Sequence, residues 1–185
     1  WTHYYTDYGV DLQKRFFGYF LKGERNGWDK QPKVQLNVRH PGERFVIRHE
    51  DAWPLPSTQW TKFHLIADGH RLETSPEKSA SKVAFDALSD GITFLTEPMA
   101  EETEITGPVA AKLHVSSSTE DADLFLVLRV FSPDMKEVTF QGALDPHTPI
   151  GQGWLRASHR KLDKKLTLPF RPYHTHDEKQ PLRAD

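Results

Sequence analysis

The sequence comprises 185 residues, 37% hydrophobic, 27% charged and 11% aromatic, enough to bury the core of one domain and a fraction without staples or metals. It holds no cysteine, which excludes a disulfide framework, a thiolate nucleophile, cysteine-ligated zinc and an iron–sulfur cluster. Lys plus Arg number 24 against 26 Asp plus Glu, a net charge of -2, so no basic excess favours nucleic acid or anionic lipid, and no apolar run approaches the roughly 20 residues that span a bilayer.

Residues Asp7–Lys22 place Leu12, Phe16, Phe17, Phe20 and Leu21 at spacings near four, the stripe of an amphipathic helix. Thr6 or Asp7 can cap its start, and Gly23 can close its end in the left-handed conformation. Three Phe on one side imply docking on another layer, with Gly18 allowing a neighbour close. Asn26-Gly27 turns the chain within a linker at 24–32.

From there the period changes to two. Val34, Leu36 and Val38 alternate with polar residues, the pattern of a half-buried strand, and Pro41-Gly42 turns it towards Phe45, Val46 and Ile47. Further strands are predicted at 60–66, 82–85, 91–95, 109–115, 124–131, 138–142 and 154–160. Turn signals such as Asp68-Gly69, Asp90-Gly91, Gly107-Pro108 and Ser132-Pro133-Asp134 separate them. Many short strands without intervening helices predict a mainly β fold, an antiparallel jelly-roll sandwich preceded by one α-helix. The prolines of Trp53-Pro54-Leu55-Pro56 predict an extended linker at 51–57, and 161–185 reads as a long surface loop. The start at Trp1, and strand edges left unpaired at Asp185, read as a piece of a longer polypeptide.

Residues with the chemistry for a site are few. No Gly-x-Ser-x-Gly occurs, so the strained turn that exposes an α/β-hydrolase serine is missing, and Ser116, Ser117 and Ser118 read as a polar connection. His174-Thr-His176-Asp177 sets two imidazoles beside a carboxylate, a partial metal site whose third ligand is unmarked, so the expectation is a solvated loop and no metal. His147 belongs to an Asp145-Pro146-His147 turn, and His159 to a solvent-facing strand position. Asp121 and Asp123 flank Ala122 at a strand entry, where an acid–base pair or cation site competes with the plainer role of satisfying turn amides.

The segment Gln13-Lys14-Arg15-Phe16-Phe17-Gly18-Tyr19-Phe20-Leu21-Lys22-Gly23 with Asn26-Gly27 resembles the last helix of the hydrolase domain in the cocaine esterase and X-Pro dipeptidyl-peptidase family, the CocE/NonD hydrolases. Residues 32–38, Trp53-Pro54-Leu55 and 60–65 resemble the path into that family's C-terminal jelly roll. The segments 103–109, Ser116-Ser117-Ser118, Asp121-Ala122-Asp123-Leu124 and 153–160 are similar to its successive signature segments, in the family's order.

The resemblance implies a serine hydrolase acting on esters or amides, X-Pro peptides included, without a cofactor. It implies domains at 1–31, the helix and linker ending an α/β-hydrolase domain, and at 32–185, a jelly roll continuing past Asp185. The triad Ser and Asp would lie upstream of Trp1. The triad His would precede the helix in a Trp-x-His context, matched by Trp1-Thr2-His3, which makes His3 the implied general base. The expected partners are the hydrolase domain, its ester or peptide substrate and a further copy in a homo-oligomer, with neither nucleic acid nor membrane. The expected location is cytoplasmic. A noncatalytic carbohydrate-binding or assembly jelly roll is the competing reading.

Overall fold

The computed structural model describes residues 2–183, with side chains described for 4–183. The chain divides into two compact units, one formed by 1–55 with 108–185 and the other by 56–107.

The first unit opens with helix α1, Asp7–Lys22, at the predicted bounds. The Thr6 hydroxyl accepts from the Gly9 amide at 3.4 Å, and Gly23 closes the helix at φ 66, its amide donating back to the last turn. Both ends thus satisfy amides or carbonyls that a helix leaves unpaired. The chain then folds back on α1. The Asn26 side-chain Nδ2 donates to the Arg15 carbonyl at 2.8 Å, and Trp28 sets its ring edge-on to Phe16 at 5.3 Å. Glu24 lies so close to Gly18 that a Cβ there would meet its carboxylate oxygen at 2.1 Å. The neighbour of Gly18 is therefore the chain's own return. The apolar stripe meets less cover than predicted, since Phe16, Phe17, Phe20 and Leu21 stay 40–76% exposed.

Strands β1 (Val34–His40) and β2 (Arg44–Glu50) form an antiparallel hairpin around a three-residue turn, and β1 half-buries alternate residues as its period demands. The pair β5 (Asp123–Leu128) and β6 (Gly151–Arg156) runs antiparallel in register from Asp123↔Arg156 to Leu128↔Gly151. Between them the chain makes only single bridges, Phe131↔Glu137 and Phe140↔Thr148. Phe140 is buried, with the Arg39 guanidinium 4.3 Å above its ring. Leu55, Ala157 and Leu182 are the other buried apolar residues of this unit among those described.

The second unit holds β3 (His64–Ile66) and β4 (Arg71–Glu73), antiparallel, with Leu95 bridging alongside Arg71. Ile66 is its buried apolar residue.

Among the described residues the fold is mainly β, with antiparallel pairs and one α-helix. It departs from the predicted strands in several places. Segments 82–85, 109–115 and 60–63 carry no strand, 91–95 and 138–142 contribute one bridging residue each, and β4 lies outside the predicted strands. A strand exists only through a ladder partner, so alternation without a partner leaves extended chain. Residues 51–54 bend rather than run extended. Among the described residues the tail after 160 forms no strand, as expected of a loop, yet it is tied down: the Leu182 amide donates to the Glu120 carbonyl at 2.7 Å and the Gln180 amide to the Ser158 carbonyl at 2.8 Å.

Candidate functional site

The densest polar arrangement gathers at one end of the β5–β6 ribbon. Asp121 precedes β5, and its carboxylate accepts from the Ser158 amide at 2.9 Å, the Ser158 hydroxyl at 2.6 Å and the Ala122 amide at 3.0 Å. Ser158 is only 2% exposed, and burial of both its donors is tolerable because one carboxylate takes them. The Ser158 hydroxyl is the foremost cause holding the Asp121 carboxyl below its usual range. Across the ladder, Asp123 takes a two-pronged bond from Arg156, Nε at 2.7 Å and a terminal nitrogen at 2.9 Å. That bond holds Asp123 down and Arg156 up.

Two carboxylates that both stay ionised are poor general acids. Asp121 and Asp123 therefore read as turn and strand-pairing groups, the plainer of the two predicted roles. The sequence did not reveal their partners: Arg156 and Ser158 lie more than thirty residues away, and only the strand register brings them together. A shallow cavity of about 350 Å³ opens here, lined by Asp123, Phe125, Trp154, Arg156 and His159 among others.

The other singled-out residues are placed as follows. His159 belongs to a 3-10 turn, Ala157–His159, that follows β6, which corrects the predicted strand position. Its ring meets His176 edge-on at 5.5 Å, and His174 lies 6.1 Å from His176. Asp177 is held by Thr175 at 2.5 Å and by Lys161 at 3.0 Å, which lower its pKa in that order. Among the described residues no group of three or more His, Asp or Glu is placed to hold a metal ion. Asp145 accepts from the His147 amide at 2.8 Å, the predicted turn. The Ser117 hydroxyl bonds Thr119, a local turn contact. The side chain of His3 lies outside the described residues. No described helix is long and apolar enough to cross a membrane.

These side chains cap turns and pair strands; they do not assemble a nucleophile with its base. Residues 26–182 match the family model of the X-Pro dipeptidyl-peptidase C-terminal non-catalytic domain. The chain belongs to this family. The chain is 28% identical over 165 residues to the cocaine esterase of Rhodococcus sp. (strain MB1 Bresler), a match covering 69% of the chain and 28% of that protein. Its structure is similar to that of a CocE/NonD family hydrolase from Staphylococcus aureus, with a TM-score of 0.81 and 25% identity, over 100% of this chain and 34% of that one. A second crystal structure of a CocE/NonD family hydrolase from the same organism gives 0.80 at 24% identity with the same coverage. The domain thus spans about a third or less of these relatives.

Proposed function

We propose that this chain is the C-terminal part of a serine hydrolase that cleaves esters or amides, X-Pro peptides included. The observation that carries the reading is the match of residues 26–182 to a non-catalytic domain whose relatives are hydrolases. In this reading residues 1–31 end an α/β-hydrolase domain, and 32–185 form a jelly roll completed by further strands. The nucleophilic Ser and its Asp lie upstream of Trp1, and His3 is the general base, oriented by that Asp. The enzyme is cytoplasmic, works without a cofactor and assembles as a homo-oligomer.

The exposed stripe of α1 and the ionised carboxylates beside β5 fit a domain that supports a neighbour rather than performing chemistry. The test uses the complete reading frame. Its product should react with a serine-directed fluorophosphonate, with the labelled serine outside residues 1–185, and should hydrolyse p-nitrophenyl esters or X-Pro anilides. His3→Ala should lower kcat by at least about 10³-fold. A complete product that neither labels nor hydrolyses these substrates would overturn the reading, and full activity in His3→Ala would remove His3 from it.

A further inference from the structure

Side chains on β5 and β6 alternate between two faces, and one face carries three cross-strand pairs: Asp123 with Arg156, Phe125 with Trp154, and Val127 with Gln152. Trp154 is 74% exposed and Phe125 75%. Two large aromatic side chains held open on a hydrogen-bonded ladder stand next to a fixed carboxylate–guanidinium pair, and the cavity of about 350 Å³ includes all four with His159.

We propose that this face binds a neutral saccharide. A pyranose has an apolar C–H side and a rim of hydroxyls, and the two halves of the site answer to them separately. The Trp154 and Phe125 rings offer flat apolar surface to the C–H side. The carboxylate of Asp123 accepts from hydroxyls, while the guanidinium of Arg156 donates to them. Because each charge already faces its opposite, the pair has no net attraction for an anionic or cationic ligand. A large apolar protein surface laid over this face would strip water from that ion pair, a cost sugar hydroxyls avoid by replacing the water. Strand pairing fixes the aromatic positions before binding, which limits the ordering cost.

The experiment is calorimetric titration of the intact protein with neutral oligosaccharides: maltohexaose, cellohexaose, xylohexaose and a β-1,4-galactan fragment. At least one should bind saturably with a Kd of about 1 mM or tighter. Trp154→Ala should weaken it at least about tenfold, Phe125→Ala should weaken it less, and Trp60→Phe should leave it unchanged. Melting curves of all three variants show whether the fold is kept. Absence of binding across the panel overturns the proposal, as does equal binding by a folded Trp154→Ala. A change in solution mass caused by Trp154→Ala, with no saccharide binding by the parent, would assign the face to a protein contact instead. Hydrolase activity is measured separately, so failure here leaves the hydrolase reading untouched, and the reverse.

Discussion

Helix α1 and the Asp121–Ser158 end of the β5–β6 ribbon lie in the same unit and are built in opposite ways. The helix is set by its own neighbours in sequence: Thr6 starts it, Gly23 stops it, and Asn26 and Trp28 fold back within two turns of chain. Its apolar stripe remains open. The ribbon end depends on groups far apart in sequence, since residues 120–123, 156–160 and 180–182 meet there through backbone and side-chain bonds. Local bonding therefore specifies an element without burying it, whereas distant bonding buries Ser158, Ala157 and Leu182 even though 180–182 belongs to no regular element.

One substitution type applied to both regions tests this contrast most strongly. Leu182 is buried, so Leu182→Ala should cost about 2–3 kcal/mol in chemical denaturation, through lost burial and the cavity left behind. A loss below about 0.5 kcal/mol would mean that the tail does not help hold the ribbon end.

Acid should separate the regions next. Asp121 and Asp123 both have pKa values lowered from the ordinary 3.8, foremost by Ser158 and by Arg156 respectively. A carboxylate with a depressed folded pKa adds stability that is complete above its unfolded value and is lost as pH falls through the folded one. The melting temperature should thus hold above about pH 5 and fall below about pH 4. Asp121→Asn, which keeps one acceptor and loses the charge, should lower the melting temperature at pH 7 and flatten its fall in acid. An unchanged acid profile would show that the Ser158 contact contributes nothing through charge.

The helix predictions are smaller. Thr6→Ala should cost about 1 kcal/mol, the usual worth of an N-cap hydroxyl, visible as lower helical circular dichroism on warming. Leu21→Ala, at a position 76% exposed, should change stability by less than about 0.5 kcal/mol. A larger loss at Leu21 would reveal that something covers the stripe in solution, and the contrast with Leu182 would collapse.

Legibility in the sequence follows the same division. The helix bounds were readable because capping and the 3.6-residue period are properties of adjacent residues. The β1–β2 hairpin was readable because Pro41-Gly42 sits between two alternating runs. Segment 109–115 misled, since alternation announces willingness to pair and says nothing of a partner. His159 leaves the strand its sequence suggests because the turn after β6 is held by Asp121, thirty-eight positions earlier. The two aspartates stand out along the chain, but the partners that keep them ionised do not, and those partners are the reason the pair makes a poor general acid.

By itself, then, the sequence determined where the helix begins and ends, the mainly β character, the absence of thiol chemistry and the family, because periodicity, capping, composition and ordered motifs all lie along the chain. Only the tertiary structure decided which alternating segments became strands, which residues are buried, and which faces of α1 and the β5–β6 ribbon stay open. Those outcomes depend on hydrogen-bond and packing partners brought from distant positions, and no local pattern encodes the identity of a partner.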